Sequence, residues 1–161
     1  MRIRAEKPGD CTAIHALTAT AFGRPVEARL VDALRADGDA VISLVAEADG
    51  LLEGHVLLSR LRMPANCLAL GPVSVAPPRQ RTGVGSALIR HALKRAADAG
   101  YAAIFVLGDP GYYTRFGFST EAAAPFETDY PRQYFMALEL ASGALAGLSG
   151  PVIYPPPFDA A

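Results

Sequence analysis

The stretch from Val73 to Leu88, reading VSVAPPRQRTGVGSAL, limits the fold more than any other part of the chain. An apolar β-type run stops at Pro77-Pro78, passes through a turn and opens an amphipathic helix at Gly83-Val84-Gly85. A strand that feeds a helix through so short a turn belongs to a layered domain, with helix packed on sheet. The two glycines let a ligand approach the backbone closely, and the free N–H groups of the first helical turn point outward toward an anion. Arg79 and Arg81 add full charges beside that turn, which reads as a phosphate-binding turn. An ordinary strand–helix corner that uses glycine for packing is the alternative.

The flanking sequence fills in the layers. Arg2–Glu6 reads as a short strand, and Asp10 is placed to cap a helix carrying Ile14, Leu17, Thr18 and Ala21 on one face. Pro25 starts a second helix with Leu30, Val31 and Leu34 on one side. Two β-type runs, Val41–Glu47 and Leu51–Arg62, flank Asp49-Gly50, a strong hairpin signal. Cys67–Ala76 forms a further strand. From Gly83 to Asp98 the period is helical, with Val84, Leu88, Ala92 and Ala96 on one face and Arg90, Lys94 and Arg95 elsewhere. Tyr101–Leu107 reads as a strand buried on both faces, and Gln133–Leu140 as the last one. The expectation is one α+β domain over residues 1–161, with a mixed sheet, a core of about 1–141 and a C-terminal extension over 142–161.

At 161 residues the chain suits one core rather than two. No apolar run reaches the length of a membrane span, and the charged first residues form no export signal, so a cytoplasmic protein is expected. Cys11 and Cys67 lack metal-type spacing, and neither a metal nor a disulfide is expected. Between Glu53 and Asp98 the chain has no acidic residue but seven basic ones, although its net charge is only −1. That local positive field suits a bound polyanion. With a pI near 6.3 the domain lacks the basic footprint of a nucleic-acid binder.

Two nucleotide readings of the glycine turn fail in detail. A P-loop needs Lys after its last glycine, where Ser86 stands; a dinucleotide fingerprint needs a third glycine, where Leu88 stands. Gln80-x-x-Gly83-x-Gly85 instead resembles the pyrophosphate loop of the GNAT superfamily of acetyl-CoA-dependent N-acetyltransferases. The block Val106-Leu-Gly-Asp-Pro-Gly-Tyr-Tyr-Thr-Arg-Phe-Gly-Phe118 is similar to the family's second coenzyme segment, in a form resembling a compact group of predicted bacterial acetyltransferases. The resemblance implies a mostly antiparallel sheet splayed between its fourth and fifth strands. It implies acetyl-CoA as co-substrate, with the segment Arg79, Gln80, Arg81, Thr82, Gly83, Val84, Gly85 and Ser86 around the pyrophosphate. Val73 would offer its N–H to the thioester carbonyl, while Ser74 and Val75 would line the pantetheine arm. Asp109, Tyr112 and Phe116 would complete the coenzyme site, and Tyr113 would be the acid for the departing thiolate; a core role is the alternative for these aromatics.

Many family members carry a Glu near the start of the fourth strand as a base, but Leu68-Ala69-Leu70-Gly71 has no titratable group. His55 has a suitable intrinsic pKa, although a His in a strand pattern also fits a hydrogen-bonded core residue. Glu27, on the helix that would flank the acceptor groove, is a candidate for a cationic amine. Polyamine, aminoglycoside, amino acid, peptide N-terminus and protein lysine all fit as acceptors, and homodimers are common in the superfamily. A catalytically silent acyl-CoA-binding or sensing module is the rival expectation.

Overall fold

The computed structural model describes residues 1–161. The elements follow in the order β1 (Arg2–Ala5), α1 (Cys11–Phe22), α2 (Val26–Ala36), β2 (Ala40–Ala48), β3 (Leu51–Arg60), β4 (Cys67–Val75), α3 (Val84–Asp98) and β5 (Ala103–Leu107). Then come α4 (Pro110–Tyr113), α5 (Thr120–Ala123), β6 (Phe126–Glu127), β7 (Phe135–Glu139) and β8 (Gly150–Pro151). Six strands form one sheet in the order β1-β2-β3-β4-β5-β7, in which only β4–β5 is parallel. This is the mixed, mostly antiparallel α+β sheet expected. No helix is long and apolar enough to cross a membrane.

The two sheet faces are covered differently. Helix α3 buries Val84, Leu88, Ala92 and Ala96, one residue per turn, against Leu44, Val56, Leu68, Ile104 and Met136. Its Arg90, Lys94 and Arg95 are exposed. Helices α1 and α2 cover the opposite face through Ile14, Leu30, Val31 and Leu34, packed on Val45 and Leu57. Strand alternation explains the division, because neighbouring residues of β2 and β3 point to opposite faces. The β2–β3 hairpin closes through Asp49 and Gly50, both left-handed at φ 54° and 77°, the conformation its Asp-Gly pair favours.

Gly54 sets how closely α3 lies on the sheet. A methyl group there would meet Leu88 Cδ1 at 2.8 Å and Val84 Cγ1 at 2.9 Å. Several boundaries differ from the sequence reading. The third strand ends at Arg60, and Arg62 turns out to form an ion pair with Asp39. The fifth starts at Ala103, because Tyr101 N–H still bonds Ala96 O at the end of α3, while Ala102 N–H donates to Asn66 O. Asp10 does not cap α1 through its side chain. Its carboxylate accepts instead from Arg4 and from the backbone N–H of Lys7, and this pairing with Arg4 holds it near 2.

The C-terminal extension crosses the α1/α2 face and packs on it. Leu145 is buried beside Phe126 and Phe135, β8 pairs with β6, and Ile153 bridges Met63. Tyr154 stacks between Tyr130 and Phe158, and burial, followed by the nearby Tyr130, pushes its phenol up.

Under α1 and α2 lies a buried polar chain. Arg35 holds Glu6 through two hydrogen bonds of 2.8 Å, and the Ser43 hydroxyl donates to Glu6 Oε1 at 2.7 Å. The Ser43 oxygen is then left to accept from His55 Nε2, 2.8 Å away, while Nδ1 has no partner. His55 is fully buried, and burial pushes its pKa down to about 4 from 6.5. An unfolded chain takes up that proton as the pH falls through 6.5, whereas the folded one holds off until about 4. His55 therefore erodes stability as the pH falls through that window, by up to about 1.4 kcal/mol per pH unit, and the loss persists below it. Urea unfolding of wild type and His55→Gln should give parallel stability curves above pH 7 and a steeper wild-type decline from pH 6 to 4. Parallel curves throughout would mean that His55 titrates normally.

Candidate functional site

The site begins where two strands part. Strand β4 pairs with β5 only from Cys67↔Ala103 to Leu70↔Val106, yet stays paired with β3 as far as Val75↔Gly54. A bulge at Gly71-Pro72, between the pairs Leu58↔Leu70 and Val56↔Val73, carries β4 away from its parallel neighbour.

The register shows which peptide groups this exposes. Ala76 N–H donates to Glu53 O at 2.8 Å, which makes Ala76–Glu53 a hydrogen-bonded pair. Antiparallel pairs alternate, so Ser74–His55 is bonded as well, whereas the N–H and C=O of Val73 and Val75 point away from β3. That is the side β5 has vacated. The Gln80 side-chain amide donates to Val75 O at 3.1 Å, as this orientation requires. Ser74, by contrast, is buried on the α1 face, with its hydroxyl 3.3 Å from that of Thr18, so its side chain lies outside the slot.

Beyond β4 the chain turns through left-handed Arg81 (φ 65°) and Gly83 (φ 94°) into α3. The first helical bond is Ala87 N–H to Gly83 O at 3.0 Å. The N–H groups from Arg81 through Ser86 have no acceptor within the chain, and no side chain caps the helix. Successive unpaired N–H groups around a left-handed residue make a concave cradle for an anion, reinforced by the helix dipole. Space beside Gly83 is open. Gly85 has a different role, since a methyl group there would touch Tyr112 Oη and Val75 Cγ2 at 3.4 Å each. Val84 is buried, so only its peptide is available, and the Thr82 hydroxyl is turned back onto Arg79 O.

The charges beside the cradle are unequal. Arg79 is not free as expected, because its Nε donates to Glu53 Oε1 at 2.8 Å and fastens the loop to β3. Arg81 is exposed and unpaired.

The second block brings four aromatic rings against α3. Asp109 caps α4 by accepting from Gly111 N–H at 2.9 Å, so its carboxylate serves the turn itself. Tyr112 Oη meets Ser86 Oγ at 3.1 Å, tying α4 to the first turn of α3. Tyr113 lies edge-on to Tyr112 and Phe118, at 5.1 and 5.9 Å between centroids, with Phe116 at 6.2 Å. Its ring lies directly over Gly108, where any side chain would collide with it. Burial, then Tyr112, pushes its phenol up to about 12, so it is protonated at neutral pH and can donate.

Neither acceptor-side candidate is free. Glu27 accepts two hydrogen bonds from Arg24, at 2.8 and 2.7 Å, and His55 is enclosed beneath α1 and α2. His55 thus fits the core alternative. The sequence reading missed Glu53 and Gly108, whose roles depend on residues distant in sequence or on ring placement; the glycine between Leu107 and Asp109 was the only available signal.

Residues 11–118 match the family described as Acetyltransferase (GNAT) family, and the chain belongs to that family. Its relatives include the Escherichia coli K12 protein named uncharacterized N-acetyltransferase YhbS, 35% identical over 160 residues and covering 96% of each chain. The crystal structure of E. coli YhbS in complex with CoA superposes with a TM-score of 0.93 at 34% identity, covering 98% of this chain and 91% of that one. A GNAT family acetyltransferase from Brucella melitensis, solved with acetyl-CoA, gives 0.84 at 37% identity, covering 98% and 97%.

The packing of Tyr113 gives a test. Gly108→Ala should displace the ring and free its edge contacts, lowering the melting temperature by several degrees, consistent with a 1–3 kcal/mol overpacking cost. Tyrosine fluorescence and thermal melting check this; an unchanged melting temperature would mean that the ring has room to move.

Proposed function

We propose that this protein transfers the acetyl group of acetyl-CoA to the amine of a small molecule, peptide or protein by direct attack. The observation that carries the reading is the continuous run of unpaired N–H groups from Arg81 to Ser86, standing at the mouth of the β4/β5 slot. Relatives solved with CoA and with acetyl-CoA support it. The run would hold the pyrophosphate, and the outward peptide of Val75 would pair with the pantetheine arm. The Val73 N–H would donate to the thioester oxygen, which gains negative charge as the amine attacks.

In that scheme a neutral amine forms the new C–N bond, the C–S bond breaks, and the ammonium proton leaves to solvent. Tyr113 would face the departing sulfur. With its pKa raised to about 12, above the range near 8.5 of a free thiol, its hydroxyl stabilises the developing thiolate mainly as a hydrogen-bond donor. The thiolate then takes a proton from solvent, which balances the one released there by the nitrogen.

A second reading, an acyl-CoA-binding module without turnover, draws support from β4 itself. Leu68, Ala69 and Leu70 are buried apolar residues, so this strand supplies no base. A screen of amines that follows thiol release from acetyl-CoA separates the two. Amine-dependent release is expected, with Tyr113→Phe lowering turnover by roughly 10²-fold while coenzyme affinity moves little. Unchanged turnover in Tyr113→Phe removes the hydroxyl from the scheme. Coenzyme binding without amine-dependent release across the library establishes the module.

A further inference from the structure

Two arginines near the cradle carry charge that nothing in the chain neutralises. The Arg90 guanidinium lies over the Phe116 ring, 4.8 Å from its centroid, and Arg115 lies over Tyr112 at 4.6 Å. Neither takes part in any ion pair. The two rings are neighbours, 5.3 Å apart and nearly perpendicular, so both cations stand over one aromatic pair where α3 meets the Tyr112–Phe116 segment. A ring face orders a guanidinium and leaves its N–H edge free for an anion. The segments that carry them, from Gly54 to Ala97 and from Pro110 to Thr120, contain no acidic residue. Of the two carboxylates between them, Asp98 pairs with Lys94 at 3.0 Å and Asp109 accepts from the Gly111 N–H.

Position relative to the cradle narrows the ligand. Arg90 stands five residues beyond Gly85, about 8 Å along the helix axis. Arg115 stands on the turn that follows α4, and Tyr112 of α4 touches Ser86 of the cradle. Coenzyme A carries a 3′-phosphate one ribose away from its pyrophosphate, and 3′-dephospho-CoA lacks only that group.

We propose that Arg90 and Arg115 form a second anion subsite that takes the 3′-phosphate and selects coenzyme A over its 3′-dephospho form. The proposal rests on the acyl-CoA reading above. The cradle binds the phosphates both coenzymes share, and the arginine pair reads the one that differs. Charge-assisted bonds of this kind are among the stronger ones a surface site can make.

Calorimetric titration of the intact protein with CoA and with 3′-dephospho-CoA tests it. Wild type should bind CoA about 10-fold or more tightly than the dephospho form, as expected for bonds to a charged group. Arg90→Gln and Arg115→Gln should each weaken CoA and leave 3′-dephospho-CoA unchanged, so the ratio falls toward one. Arg90→Lys and Arg115→Lys, which keep the charge, should retain most of the ratio. Arg95→Gln, further along the exposed face of α3, should not change it. Ligand-free melting curves establish that each variant is folded. Equal wild-type affinity for the two coenzymes overturns the subsite while leaving the acyl-CoA reading intact, as does equal weakening of both by the glutamine variants. Lysine variants that lose the ratio as fully as glutamine would assign the effect to ring packing and overturn the charge argument. Failure of wild type to bind either coenzyme overturns the acyl-CoA reading and the subsite with it.

Discussion

Past Leu70 and Val106 the backbones of β4 and β5 stop exchanging hydrogen bonds, while β4 remains zipped to β3. A strand that loses a neighbour orphans half of its peptide groups, and a buried orphan costs about 1–3 kcal/mol. The local sequence limits that cost. Pro72, at the point of departure, has no N–H to leave unpaired. The Gln80 side chain satisfies Val75 O, and Val73 and Val75 are only partly buried, within reach of solvent or a ligand. The slot is thus a sheet defect whose unsatisfied groups are few and all face one way.

Everything else at the site is held relative to that defect. Gly54 lets Leu88 and Val84 of α3 press onto β3, which fixes the start of α3 above the end of β4. The Arg79–Glu53 pair ties the intervening loop to β3, the strand on which β4 depends. On the far side, Tyr112 reaches Ser86, and Gly85 gives it room. Cradle, slot and the Tyr112–Tyr113 turn are therefore tied to one another, with the core around Leu88, Ile104 and Met136 behind them.

Much of this was legible in the sequence because it is local. The hairpin at Asp49-Gly50, the buried stripe of α3 and the strand–glycine–helix corner all follow from spacing within a few residues. The differences share a cause. The sequence offers Asp10 as a helix cap and Arg79, Glu27 and Asp109 as ligand contacts, and each has a hydrogen-bonding partner within the chain. Arg79 finds its partner 26 residues earlier in the chain, a pairing set by the β3–β4 register and invisible to local pattern. In sequence His55 fits both acceptor contact and core, and only the packing of α1 and α2 over β3 places it in the core. Arg90 showed only as one charge of a basic window, since the ring beneath it belongs to a segment 26 residues further on.

With Arg79 paired to Glu53, the cradle consists chiefly of backbone N–H groups and the helix dipole, which cannot rotate away or lose their partial charge. Geometry and charge are thereby divided between different parts of the chain. The peptide groups fix where an anion sits, and they are set by the φ angles of Arg81 and Gly83. The full charges of Arg81 and Arg95 lie on exposed surface, where they act over distances comparable to the Debye length, about 8–10 Å at physiological salt. Such a field mainly raises the rate of encounter with a polyanion, and it weakens as salt is added. In the proposed function the acid-free window from Gly54 to Ala97 therefore has two separable parts: a peptide seat at its centre, set by backbone geometry, and a surrounding positive potential that would draw a polyanion toward it.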